Sequence, residues 1–426
     1  MKKLVSLVLA LTMGIGLLTG CGQSAASGEG SQAQASGDNA GKVTLELYLQ
    51  KTNVVDQFNE LIAMFEEENP DIHIELTSVP DPETALVSRI AANDYPDIIT
   101  IWPAEKFYRD LMKDGALMDI SDQEFMNQVA EGSRAIAQYE GRDYSLSMAM
   151  SAFGILVNNR IFEENNLEKP TTWDELIDTC EALKAAGIQP FAFYGKSTEQ
   201  VGQLGERLVG VINNNITDSI TKVGKGEATW DELPEMRQLA DALVELHKYG
   251  QVDILGADYE AAFSDIATEK AAMMIYGSWG VQTLLQMNPD LDIEMIPLPN
   301  PTGGENMIPA SIDTALAISE SCENKEAALK FLEFMSRTET AQWYADNENN
   351  PPIIKGVEYH VPALQLMQEE LAAGNMFFTP SVYWPAGFRT AWEAPLQALI
   401  DPLGSNDVEA FLDATESICV EYFAAE

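Results

Sequence analysis

The feature that constrains this chain most is the succession of short extended patterns and longer helical ones that begins at residue 43. Residues 43–49 alternate apolar and polar positions and are rich in strand formers, which predicts a strand. In residues 53–68, Val55, Phe58, Leu61, Ile62 and Phe65 share one face at helical spacing, and Asn69-Pro70 stops the helix they predict. Residues 72–79 predict a second strand, 82–92 a helix, and 97–102 a short apolar strand followed by a helix through Met112. A strand whose neighbours in sequence are helices cannot pair with the next strand through a tight turn. Its sheet must be largely parallel and covered by helices, an α/β arrangement.

The pattern then continues with variations. Residues 144–150 and 154–158 predict two strands broken at Ser151. Thr172-Trp173-Asp174-Glu175 has the spacing of a capping box and opens a helix through Ala186. Residues 190–194 predict a strand, with helices around 200–212 and 233–249. Residues 271–276 read as a buried strand that runs into Gly277-Ser278-Trp279, and 293–298 and 314–318 as further strands; the C-terminal part is mostly helical. The 426 residues, 46% of them apolar, suffice for two domains of ordinary size. No linker-like stretch occurs between residues 42 and 426. Two α/β lobes would therefore be joined by strands rather than by a loose linker.

The N-terminus carries a separate message. Lys2 and Lys3 precede an apolar run from Leu4 to Leu17 that is too short to span a bilayer as a mature helix. Leu18-Thr19-Gly20-Cys21 follows and resembles the bacterial lipobox, in which small residues before a Cys admit the lipoprotein signal peptidase and the thiol is acylated. Residues 22–41 are mostly Gly, Ser, Ala, Gln and Asn, with Glu29 and Asp38 and no bulky apolar side chain, the composition of a flexible tether. Residues 1–20 are thus expected to be a signal peptide and 21–41 a spacer. The membrane is met only through a lipid on the outer face of the cytoplasmic membrane.

Charge and cysteine usage exclude several classes. With 67 acidic and 25 basic residues, the formal net charge is −42. A nucleic-acid partner would be repelled. Besides Cys21, the cysteines are Cys180, Cys322 and Cys419, widely spaced and expected as buried free thiols, with no metal-binding pair. His73, His247 and His360 lie far apart, so neither a His-based metal site nor a catalytic His–Ser pair is indicated. No cofactor is expected.

Four stretches carry a family resemblance. They are residues 95–102 (Tyr-Pro-Asp-Ile-Ile-Thr-Ile-Trp) with 115–120, residues 153–159 with Pro170-Thr171-Thr172-Trp173-Asp174-Glu175-Leu176, residues 270–279 ending in Gly-Ser-Trp, and residues 324–332. In this order they resemble the extracellular solute-binding proteins of ABC importers, in the carbohydrate-binding group that includes maltose-binding protein. The resemblance implies two α/β lobes of the class II periplasmic-binding-protein type, built from discontinuous chain around a ligand cleft. It places residues 42–151 and 310–360 in one lobe and 152–309 and 361–426 in the other, with crossings near Ser151, Ala310 and His360. It implies no enzymatic step, and a monomer that delivers a sugar to permease subunits.

Sugar recognition needs aromatic faces for the C–H faces of pyranose rings and planar polar groups for pairs of hydroxyls. The resemblance points to Trp102, at the end of a strand where open α/β sheets bind ligands, to Trp279, and to Trp384 beside Tyr383. Trp173, Trp230, Trp343 and Trp392 are expected in the core or on the surface. Lys51 and Glu105 match polar ligand contacts of the family; Lys106, Arg389 and Asp313 are further candidates. At the first crossing the maltose-binding members carry Glu where this chain has Ser151, which removes a bidentate acceptor and argues against maltose itself. Phe153 could add an aromatic wall. The net charge leaves a second class open, in which the same architecture binds a polyamine, a cationic peptide or an iron complex.

Overall fold

The structure, a computed structural model, describes residues 41–424 other than 386 and 402. The expected signal peptide and nearly all of the expected tether, Cys21 included, lie outside the described residues. Nine strands form one continuous hydrogen-bonded system: β1 (Val43–Tyr48), β2 (Ile72–Thr77), β3 (Ile98–Ile101), β4 (Leu146–Asn158), β5 (Gln189–Phe191), β6 (Ala271–Gly277), β7 (Ile293–Ile296), β8 (Ile308–Ile318) and β9 (Met376–Phe378). Their order is β2-β1-β3-β8-β4-β6-β5, with β7 also on β4 and β9 also on β8. The pairs β1–β2, β1–β3, β5–β6 and β8–β9 are parallel, as the alternation of strands and helices requires. The antiparallel pairs all involve β4 or β8.

Those two strands differ most from the sequence expectation. Residues 144–158 were expected as two strands with a break at Ser151, but β4 is continuous and buried along its whole length. What changes at Ser151 is the partner. Residues 146–152 pair with β8, residues 153–157 with β6 and 155–158 with β7. Ser151 is tolerated in mid-strand because its hydroxyl meets that of Ser311 at 2.8 Å, so the buried polar group is satisfied. Strand β8 likewise begins at Ile308 rather than at residue 314. Pro309, Ser311 and Asp313 look like breakers in isolation, yet they pair with β9 and β4 or turn towards polar partners.

Two large apolar cores flank this system. One gathers residues between Leu45 and Met150 and between Ala310 and Ile354. The other gathers residues between Phe153 and Leu298 and between Trp384 and Phe423. A smaller cluster around Ala152, Leu156, Met274, Tyr276, Met295 and Met367 packs on the far half of β4. Local rules set the elements that cover the cores. Helix Val55–Glu68 buries Phe58, Leu61, Ile62 and Phe65, the face its periodicity predicted. The Thr172–Glu175 capping box is formed in both directions at the start of helix Trp173–Ala185. Cys180, Cys322 and Cys419 are buried and unpaired; burial pushes their thiols up to about 12, so they stay protonated.

Gly154 marks the tightest point of β4. A Cβ there would sit 2.3 Å from the Ile296 carbonyl oxygen of β7, a backbone atom that cannot turn away. Gly154→Ala should therefore part β4 from β7 and destabilise the fold by about 1–3 kcal/mol. Urea unfolding measures this; an unchanged midpoint would contradict the packing described.

Candidate ligand-binding cleft

The ends of the parallel strands deliver the first set of site residues. Strand β1 runs into Gln50 and Lys51, and β3 into Trp102. Three residues on, Glu105 stands at the cap position of helix Lys106–Lys113 with its side chain not engaged in capping. Gln50 is locked: its backbone N–H donates to Thr100 Oγ1 at 2.8 Å, and Tyr108 donates to its Oε1 at 2.9 Å. Trp102 is half-buried, its ring 6.2 Å from that of Tyr108. The Glu105 side chain stays open to solvent. Even so, its carboxyl is pushed up to about 7, first by the loss of surrounding bulk water and then by Glu83; Arg389 and Arg207 act in the opposite sense. A group that water can touch, yet that lacks bulk water around it, lies in a narrow cleft.

The opposing wall comes from the second core. Strand β6 ends in Tyr276-Gly277 and leads into Ser278-Trp279. The Trp279 ring lies 5.3 Å from Tyr276 and 6.4 Å from Phe153. Gly277 permits this, since a Cβ at that position would come within 2.0 Å of the indole. Arg207, on helix Thr198–Ile212, lays its guanidinium 4.8 Å from the Phe153 ring centre and 5.9 Å from that of Trp279. Burial pushes the Arg207 guanidinium down, Glu206 draws it up and Arg389 pushes it down again. It remains a cation, presenting a rigid fork of donors. Glu206 is held by the Ser381 backbone N–H at 2.8 Å. Arg389 is half-buried on helix Phe388–Leu399.

Several expected contacts turn out to serve other partners, and these are corrections. The Lys51 ammonium is buried and ion-paired to both Asp313 and Glu348. Burial alone would lower its pKa, but the two carboxylates outweigh it and raise it. Neither Lys51 nor Asp313 therefore faces ligand with a free charge. Glu348 is raised by burial and by Asp313, with Lys51 pulling against them. It also accepts from the Asn350 amide at 2.7 Å, and Asn350 Oδ1 accepts from Ser278 Oγ at 2.6 Å. Ser151 is consumed by Ser311. Trp384 is 3% exposed, edge-on to Phe388 and Trp392, and its indole N–H donates to Thr217; it belongs to the second core. Tyr383 beside it is 59% exposed. Lys106 is exposed and pairs with Asp110 at 2.6 Å. Phe153 is 1% exposed and forms the floor beneath Arg207. The structure thus brings together Trp102, Glu105, Phe153, Trp279 and Arg389, and adds Arg207, Glu206, Tyr194 and Tyr276. The sequence signal for Arg207 is faint: one basic residue inside an apolar, glycine-spaced helix.

A sequence profile of the bacterial extracellular solute-binding proteins matches residues 51–342. The chain belongs to this family. It is 29% identical over 335 residues to the multiple sugar-binding protein of Streptococcus mutans, covering 77% of this chain and 79% of that one. It is 23% identical over 342 residues to the melibiose/raffinose/stachyose-binding protein MelE of Bacillus subtilis, covering 77% and 78%. Among solved structures, the solute-binding protein RafE in complex with raffinose superposes with a TM-score of 0.82 at 23% identity, covering 90% of this chain and all of that one. The apo form of RafE from Streptococcus pneumoniae gives 0.75 at 22% identity, over 90% and 98%. These structures share the fold, two α/β lobes of the periplasmic-binding-protein type. As an extracellular solute-binding protein, the chain works outside the cytoplasm.

Glu105 gives this solute-binding protein a testable pH response. Its folded value, about 7, lies above the ordinary 4.5, so the neutral form is the one the fold favours. Its contribution to stability is present below pH 4.5 and is lost as pH rises through about 7. Glu105→Gln, neutral throughout, should gain melting temperature relative to the wild type between pH 4.5 and pH 8 in the absence of ligand. A difference that does not vary with pH would contradict the cleft environment assigned to Glu105.

Proposed function

We propose that this solute-binding protein captures a sugar or oligosaccharide between its two lobes and delivers it to the permease of an ABC importer. The observation that carries the reading is a pair of facing walls. Trp102 and Glu105 project from the first core; Trp279, Arg207 and Arg389 belong to the second. Aromatic faces suit the C–H faces of pyranose rings, and the carboxylate and guanidinium forks suit pairs of hydroxyls. The names of the relatives, which include multiple sugar-binding and melibiose/raffinose/stachyose-binding proteins, support the same class. Two guanidiniums within reach of Glu105 weigh against a polyamine or a cationic peptide.

The lobes we assign are residues 42–151 with 310–360 and residues 152–309 with 361–426. Support comes from the apolar clusters. The first core includes Met150, Ala310 and Ile354, whereas Ala152, Ile308 and Tyr359 belong to the smaller cluster on the far half of β4. The chain thus passes out of the first core at Ser151–Ala152, back at Ile308–Ala310 and out again between Ile354 and Tyr359. Ligand touching both walls gives the closed arrangement contacts that the open one lacks, so binding drives closure. No ligand bond is broken. Cys21 carries the lipid that keeps the monomeric receptor beside its importer. The protein with Cys21→Ala should leave the membrane fraction and retain binding. In that form, a panel of mono- to tetrasaccharides should raise the melting temperature. A panel without effect, alongside a shift with spermidine, a cationic peptide or an iron chelate, would overturn the reading.

A further inference from the structure

The chain leaves helix Thr338–Glu348 through residues 347–350, which bond to several distant elements. Asn349 turns the backbone left-handed, with φ 69°, a conformation that Asn tolerates better than most residues. Its carbonyl accepts from the Tyr359 hydroxyl at 2.8 Å. The side chains on either side of this turn, Glu348 and Asn350, are both buried.

This buried pair belongs to a chain of hydrogen bonds with a fixed direction. Lys51 donates to Glu348 Oε1. Asn350 Nδ2 donates to the same oxygen at 2.7 Å, and the Asn350 backbone N–H donates to Glu348 Oε2 at 3.0 Å. Ser278 Oγ gives its one proton to Asn350 Oδ1 at 2.6 Å and accepts from the Ala152 N–H of β4 at 3.1 Å. Asn350 must therefore donate on one side and accept on the other. An amide does both at once; a carboxylate only accepts, and an alkyl side chain does neither.

Ser278 is followed directly by Trp279. Three residues further on, Gln282 donates to the Asn347 carbonyl at 2.7 Å, and Gln57 of helix Val55–Glu68 donates to the same oxygen at 3.1 Å. The segment that carries Trp279 is thus gripped on both sides, by a buried bond before it and an exposed one after it. At its other end the network holds Lys51, next to Gln50, and Gln50 accepts from Tyr108, the ring neighbour of Trp102. Residues 347–350 therefore connect the anchors of the two tryptophans.

We propose that residues 347–350 are a clasp that sets how long ligand is retained, with Asn350 the positioning residue that holds Ser278, and through it Trp279, in place. This rests on ligand lying against Trp279, as in the saccharide reading, and adds what fixes that wall. Without the Asn350 bond, Trp279 sits on a looser segment. Ligand then arrives as often and leaves sooner.

The test compares the wild type with Asn350→Ala, Asn350→Asp and Gln282→Ala, each in the full chain. Off-rates of melibiose, raffinose and stachyose are read by stopped-flow tryptophan fluorescence. Asn350→Ala should raise them about tenfold, the loss expected for a hydrogen bond between buried groups, with on-rates changed less than about twofold. Gln282→Ala should raise them about threefold without lowering the melting temperature, because water can replace its exposed bond. Asn350→Asp gives a readout that a purely structural role would not move. Near pH 8 it sets a carboxylate against Glu348 and should match Asn350→Ala. As pH falls towards about 5, a proton shared by the two facing carboxyls restores both the donor to Glu348 and the acceptor for Ser278. The off-rate ratio of Asn350→Asp to wild type should then approach one. Lys51, Asp313, Tyr344 and Tyr359, the other titratable groups around Glu348, are common to both proteins and cancel in that ratio. In ligand-free protein, Asn350→Ala should speed hydrogen exchange at residues 278–282 about tenfold more than in helix Trp173–Ala185. Unchanged off-rates, a pH-independent ratio, or exchange sped equally in both places would overturn the clasp and leave saccharide binding intact. If the wild type binds none of the three sugars, the exchange comparison decides the clasp by itself, since it needs no ligand.

Discussion

The pairing of β4 with β8 is the interaction on which the rest of the molecule depends. These strands run antiparallel from residues 146–152 against 310–316. Their ends then part to serve different cores: β4 continues into β6 and β7, while β8 continues against β3. Each strand is thus a member of two packed layers, and the pair sits where the layers meet. Side chains at the meeting point have little solvent, and several polar ones are matched closely, although Ser147 Oγ on the same strand is buried without a partner among the described residues. Ser151 meets Ser311, Thr314 bonds Asp313 at 2.9 Å, and Ser278 takes the Ala152 N–H at 3.1 Å.

Beside that joint, one ammonium serves two carboxylates. Lys51 between Asp313 and Glu348 ties the end of β1 to strand β8 and to the end of helix Thr338–Glu348. Removing one member of such a group leaves an uncompensated buried charge, which is far costlier than replacing the whole set. The network does more than fix one core. Asn350, positioned by Glu348, reaches Ser278 after β6, and the Asn347 carbonyl accepts from Gln57 on helix Val55–Glu68 and from Gln282 on helix Val281–Met287, at 3.1 and 2.7 Å. The charged joint and the strands together set the separation of the two walls.

Much of this was legible in the sequence where the determinants are local. The helix at 55–68, the capping box at Thr172 and Glu175, the buried strand at 271–276 and the free buried cysteines follow from periodicity, capping chemistry and spacing. The family resemblance singles out Trp102, Glu105 and Trp279, which the fold sets just beyond the ends of β3 and β6. The errors fall where tertiary contacts decide. Ser151 looks like a break because its partner, Ser311, is 160 residues away. Lys51 looks like a free cation because its two carboxylates are remote in sequence. Trp384 is aromatic and flanked by prolines, yet Phe388, Trp392 and Thr217 enclose it. Arg207 carries no clear sequence signal, because only the packed helix brings it across the Phe153 and Trp279 faces.

The central claim is that ligand is held by both lobes at once. Hydrogen exchange with and without a bound saccharide tests it most directly. The account predicts joint slowing of exchange at the start of helix Lys106–Lys113, carrying Glu105 on one wall, and at residues 278–282 and helix Thr198–Ile212 on the other. Protection confined to one wall, at a saccharide concentration that saturates the protein, would contradict it.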